Sequence, residues 1–176
     1  MVVRWLHSIG AALQRLPRAV CWTLVVAQYG LICCLSSIPG AKVPSSRLWA
    51  VVTNLGHAPL FGLLAMWITL LVPRKAGWPD LIRPRVVAVL AAVAACGLLD
   101  ELHQRFLTTG RDMSVFDICT DLAGASAVLA VAHYVGGANN RALGLSWRLA
   151  AGLAACVASA CAATFIPHMF PSLEWL

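Results

Sequence analysis

The sequence predicts an all-α fold, a polytopic transmembrane helical bundle of about five spans. Three observations carry that expectation. The 176-residue chain is 60% apolar and only 11% charged, less than half the roughly 25% charged share of an average soluble domain, and its mean hydropathy is +0.80. Its apolar residues gather in runs long enough to cross a bilayer, for which a helix needs about 20 residues. Pro and Gly punctuate those runs, at Pro39-Gly40, Pro44, Pro73, Pro79, Pro84, Gly136-Gly137 and Pro167. So few charges cannot wet the surface of a soluble enzyme, and they argue equally against a disordered chain. The net charge of +6 does not point to nucleic acid, because the basic residues are scattered singly between apolar runs, as membrane topology requires.

Taken in order, residues 1–18 form an N-terminal interfacial segment. Trp5, Leu6, Ile9, Leu13 and Leu16 recur at helical spacing with Arg4, Arg15 and Arg18 to the sides, the pattern of a helix lying in the membrane surface. A cleaved signal peptide fits less well, since no small-x-small site follows the apolar run. The five spans run from about Ala19 to Ile38, Leu55 to Val72, Val86 to Leu102, Phe116 to Val135 and Trp147 to Ile166. No hydrophilic stretch is long enough for a second domain, and no repeat of fixed period appears. Arg4, Arg15, Arg18, Arg74, Lys75, Arg83, Arg85, Arg141 and Arg148 then share one side of the membrane, against Lys42, Arg47, Arg105 and Arg111 on the other. The positive-inside rule puts the larger set, and the N-terminus, in the cytoplasm. The seven cysteines lie in or beside the spans without Cys-x-x-Cys spacing, so they read as small apolar residues rather than disulfides or metal ligands.

The acids are distributed unevenly. Of seven, Asp100, Glu101, Asp112, Asp117 and Asp121 fall between the end of the third span and the start of the fourth. On a continuing helix, Glu101, Gln104 and Arg105 share a face, and Asp100 meets Gln104 at i, i+4. Asp117 and Asp121 stack at i, i+4. Gly110 marks a tight turn, from which Arg111 can reach back to a carboxylate or an anionic ligand, and Ser114 is placed to cap the fourth helix. His57 opens the second span and joins the same layer by topology. His57, Asp100, Glu101, Gln104, Arg111, Asp117 and Asp121 are therefore the candidate ligand-binding or structural polar cluster, near the external face. Interfacial placement is the competing explanation for His103, Arg105 and Asp112, and a salt-bridge network around Arg111 for Asp117 and Asp121. Ala123, Gly124, Ser126 and Ala127, with Gly62 and Ala65, permit close helix approach.

These blocks resemble the VanZ-like integral membrane proteins, a family named for a teicoplanin-resistance protein. The resemblance rests on Leu35-Ser36-Ser37-Ile38-Pro39-Gly40, on Asn54-Leu55-Gly56-His57-Ala58-Pro59-Leu60-Phe61-Gly62, and most specifically on Asp100-Glu101-Leu102-His103-Gln104-Arg105-Phe106, Gly110-Arg111-Asp112-Met113-Ser114 and Asp117-Ile118-Cys119-Thr120-Asp121-Leu122-Ala123-Gly124. It covers roughly residues 30–132, which implies a VanZ-like four-helix core over residues 19–136 and an additional C-terminal helix at residues 147–166. Two departures stand out. Asp121 replaces the usual Asn, and Asn54 stands where an Asp-Lys pair is common. The family implies a multi-pass protein of the bacterial cytoplasmic (inner) membrane, linked to glycopeptide tolerance.

Three functions compete. The leading expectation is a non-enzymatic envelope accessory or binding protein, with Arg111 holding an anionic envelope lipid or cell-wall precursor and no cofactor or metal. The second is an intramembrane metal-assisted hydrolase or transferase, with Glu101, Asp117, Asp121 and His57 as metal ligands or as acid and base. No hydrolase motif supports it. The third is a proton-coupled transporter, although no ionisable chain crosses the middle of the spans. Membrane lipids are the expected surroundings, nucleic acid is not an expected partner, and a homo-oligomer is left open.

Overall fold

The computed structural model describes residues 2–40, 46–111, 113–137 and 142–169, with side chains to residue 166. Lys42, Pro44, Asp112 and Arg141, used above, lie outside the described residues. Among those described, six helices and one small hairpin follow in order: α1 (Val2–Leu13), α2 (Arg18–Ser36), α3 (Arg47–Thr69), β1 (Arg74–Lys75), β2 (Trp78–Pro79), α4 (Arg83–Leu107), α5 (Val115–Gly136) and α6 (Ala142–Met169). Helices α2 to α6 are each long and apolar enough to cross a membrane. The expected all-α bundle of five spans is therefore what the chain forms.

The helix ends follow from local sequence. Pro17 precedes α2 and Pro84 lies in the first turn of α4, where a missing N–H costs nothing. Ser46 caps α3 by accepting from the Trp49 N–H at 3.2 Å, and Ser114 caps α5 by accepting from the Asp117 N–H at 3.3 Å. Two spans are longer than their hydropathy suggests. Helix α3 begins at Arg47 rather than near Leu55, because its polar first turns satisfy themselves. The Thr53 hydroxyl donates to Trp49 and Ala50 carbonyls, and the Asn54 amide donates to Thr164 of α6 at 3.1 Å. Helix α4 runs past Leu102 to Leu107, so Asp100, Glu101 and Gln104 lie within it rather than at its end.

Helices α3 and α5 form the central pair, joined by α2 and α4, with α6 packed along both α3 and α5. Glycine sets the central spacing. A Cβ on Gly124 would strike the Ala58 backbone carbonyl, and one on Gly62 would lie 3.2 Å from the Gly124 carbonyl oxygen, so the expected close approach of small residues occurs here. Ile32, Phe61, Leu64, Ala65, Val93, Ala125 and Leu129 fill the core between these helices. Some small residues of α6 serve packing within the chain: Gly152 abuts Ala127, and Cys156, Ala160 and Ala163 are buried, whereas Ala150, Ala151, Ala154 and Ala155 are exposed.

Each end of the bundle has its own closure. At one end α1 lies across α5 and α6 through Val3, Val135 and Leu145. The β1–β2 hairpin sits beside it. Its turn puts Ala76 (φ 51) and Gly77 (φ 76) both in the left-handed region, as a two-residue hairpin loop demands. Trp78 fastens the hairpin by donating its indole N–H to the Ala132 carbonyl at 3.0 Å and stacking on His7. At the opposite end the α2 terminus is tied to the α4 terminus. The Thr108 hydroxyl donates to the Ser36 carbonyl (3.1 Å), Ser37 bonds His103 (2.9 Å), and the Gly40 N–H donates to the Thr109 carbonyl (3.0 Å). Gly40 packs directly on the Gly110 carbonyl.

Candidate functional site

The seven candidate residues belong to that second end, set into the bundle rather than on its rim. His57 stands ten residues along α3, about 15 Å of helix rise from Arg47. Asp100, Glu101 and Gln104 occupy the last third of α4, and Asp117 and Asp121 the first two turns of α5. Asp100 and Glu101 are 0% exposed, Asp121 1% and Asp117 9%. The sequence placed these residues near a membrane face. The longer α3 and α4 enclose most of them in protein.

Most of these groups are held by a specific partner. His57 Nδ1 lies 3.0 Å from Asp121 Oδ1, with the ring N–H donating. The Gln104 amide NH2 donates to Asp100 Oδ2 at 2.9 Å, and the Gln104 amide oxygen accepts from Arg111 at 3.3 Å. Only one orientation of the amide satisfies both bonds. The Ser114 backbone N–H, at the N-terminus of α5, donates to Glu101 Oε2 at 2.6 Å, where the helix dipole also favours a carboxylate. Gly110, at φ 73, supplies the expected tight turn that returns Arg111 to the cluster. Arg111 reaches Gln104 and forms no ion pair among the described residues. Arg105 leaves the shared face that its spacing suggested, staying exposed beside the Phe106 ring.

Four buried carboxyl oxygens have no hydrogen-bond partner among the described residues: Asp100 Oδ1, Glu101 Oε1, Asp117 Oδ1 and Asp121 Oδ2. Leaving a buried acceptor unpaired costs about 1–3 kcal/mol, so four together call for a cause. One ring nitrogen of His57 and one carboxylate oxygen each from Asp100 and Glu101 lie within 4.8 Å of one another. That spacing suits a bound cation. The metal set offered by the sequence was different, with Asp117 and Asp121 in place of Asp100.

Some contributors had escaped the sequence reading. Gly97 of α4 lies against Asp121, and a Cβ there would come 2.5 Å from Asp121 Oδ2. The Ser114 N–H acts on Glu101 through the backbone, which no residue type reveals. Thr120 is fully buried between the two aspartates of α5. An apolar cavity of about 840 Å3 runs between α1, α3, α5 and α6. None of the seven candidates lines it.

No protein-family model, no curated protein and no solved structure matches the chain.

Proposed function

We infer that the chain is a VanZ-like integral membrane protein that binds a polar, anionic component of the bacterial envelope, a lipid headgroup or a cell-wall precursor. It acts as a non-enzymatic accessory protein. It sits in the cytoplasmic membrane with the N-terminus in the cytoplasm and the carboxylate end outward. The observation that carries this reading is the convergence of His57, Asp100, Glu101, Gln104, Arg111, Asp117 and Asp121 from α3, α4, the turn and α5 upon one buried site. Ionisable groups within apolar spans are costly and are kept where they act on a ligand or an ion. Arg111 has given one N–H to Gln104, and the rest of its planar fork suits a phosphate or carboxylate oxygen.

Susceptibility to glycopeptide and lipopeptide agents tests this reading, in strains carrying wild type, Glu101→Ala, Arg111→Ala or Asp117→Ala at matched membrane levels. Loss of protection in the variants is expected. Unchanged protection in all three refutes it. Reporter fusions within residues 103–115 and 136–146 should read outside and inside respectively. The reverse result puts the site in the cytoplasm.

A second reading, metal-assisted hydrolysis or transfer on an envelope lipid, is favoured by the closeness of His57, Asp100 and Glu101. It requires turnover that is abolished in Glu101→Gln or Asp117→Asn. Full function in both variants removes it.

A further inference from the structure

We propose that His57, Asp100 and Glu101 bind a single divalent metal ion of the first transition row, Zn2+ or Mn2+, one ligand atom from each residue. The inference rests on the reading of the cluster as a binding site and names what makes that site able to hold an anion. Four buried carboxyl groups face one imidazole and one guanidinium among the described residues. Such a site repels a phosphate unless a cation stands between them.

Three atoms no more than 4.8 Å apart share a central point within about 2.8 Å of each. Metal–ligand bonds to nitrogen and oxygen run about 2.0–2.2 Å for zinc, so side-chain adjustments of well under an ångström would close the shell.

Asp100 is fixed through Oδ2 by Gln104, which Arg111 fixes in turn, and its Oδ1 is left open. Glu101 is fixed through Oε2 by the Ser114 N–H, and its Oε1 is left open. His57 is fixed through Nδ1 by Asp121, which leaves the lone pair on Nε2. A histidine with a carboxylate behind one nitrogen is the arrangement that orients an imidazole for a metal and raises its basicity. Asp100 and Glu101 thus each have one oxygen restrained and one without a partner among the described residues, a pattern that a purely structural salt-bridge network does not need.

An imidazole nitrogen beside two carboxylates suits zinc or manganese better than calcium or magnesium, which prefer all-oxygen shells. Three protein ligands leave at least one coordination position for an oxygen from outside, with Arg111 two bonds away through Gln104. Asp117, in the first turn of α5, adds a further carboxyl group to the cluster.

The test counts metal on tag-free, full-length protein in detergent. The protein is stripped with a chelator, equilibrated with Mn2+ and passed through gel filtration. Bound metal is then read by mass spectrometry and electron paramagnetic resonance. Mn2+ is chosen because the seven cysteines prefer softer ions. About one equivalent per chain is expected for wild type, less than about a tenth for His57→Ala and Glu101→Gln, and roughly 10–100-fold weaker binding for Gln104→Leu, which touches no metal. Asp80→Asn, at the far end of the bundle, should bind as wild type does. Gel-filtration profiles and helical circular dichroism check folding, and Gln104→Leu keeps the test open should a ligand variant misfold. Wild type without metal, as when the carboxyls share protons instead, overturns the proposal. Equal metal in His57→Ala and Glu101→Gln does the same. No envelope component enters the assay, so the two readings fail separately. Metal-free protein with an Arg111→Ala strain that still loses protection overturns the metal site alone. One equivalent of metal with protection unchanged in every variant overturns the functional reading alone.

Discussion

Replacing Gly97 by Ala probes the cluster without replacing any of its polar groups. A Cβ at this position would lie 2.5 Å from Asp121 Oδ2, where ordinary contact begins near 3.4 Å. The carboxylate must retreat by about 0.9 Å, or α4 and α5 must separate. Retreat takes Asp121 from His57, to which it is bonded at 3.0 Å, and a hydrogen bond to a charged group is worth about 1.5–3 kcal/mol. Separation costs about 1–3 kcal/mol as overpacking. The gain in helix propensity from Gly to Ala returns about 0.5–1 kcal/mol. The net expectation is a loss of roughly 1–2 kcal/mol. Gly30 and Gly56 serve as controls, because a Cβ at either meets nothing within 4 Å. Gly56→Ala, next to His57, and Gly30→Ala should each be neutral or stabilising by up to about 1 kcal/mol. Unfolding in mixed detergent micelles on titration with SDS, followed by circular dichroism, measures all three. Gly97→Ala as stable as Gly30→Ala would refute the contact and with it the placement of Asp121.

Other perturbations read the fold around the site. Gly124→Ala places a Cβ against the Ala58 carbonyl and should destabilise the central α3–α5 pair by about 2–3 kcal/mol in the same assay. Ala76→Gly relieves a left-handed conformation at φ 51 and should stabilise the protein by about 1–2 kcal/mol. A double-mutant cycle on Asn54→Ala and Thr164→Val should give a coupling of about 0.6 kcal/mol, as interhelical hydrogen bonds in membranes do. A coupling of zero would detach α6 from α3 at that point.

Much of this was legible in the sequence, for physical reasons. Spans announce themselves because bilayer thickness demands long apolar runs. The convergence of His57 with the acids of α4 and α5 followed from counting crossings. The Asp100–Gln104 bond followed from i, i+4 spacing, and Gly110 and Ser114 from turn and cap chemistry. Depth was not legible. Hydropathy hides the start of α3, because Arg47, Thr53 and Asn54 read as polar although the helix and α6 satisfy Thr53 and Asn54. His57 was therefore expected to open its span and lies ten residues into α3. Ala76 gives no sign of a hairpin turn, since a left-handed alanine is an exception. Gly97 looks like one more small residue in an Ala-rich helix, and its role depends on Asp121 arriving from another helix.

The central claim is that the buried carboxylates are kept for a ligand and not for the fold. The free energy of unfolding of chelator-stripped Glu101→Gln, relative to stripped wild type, tests it most directly. Glutamine keeps an oxygen for the Ser114 N–H and replaces the unpartnered Oε1 with a donor that neighbouring carboxylates can use. If the cluster serves a ligand, the variant should be more stable by about 1–3 kcal/mol, while losing metal and drug protection. If Glu101→Gln is instead destabilised by a similar amount, with protection falling only in step with protein level, the carboxylates are a structural network and the claim is contradicted.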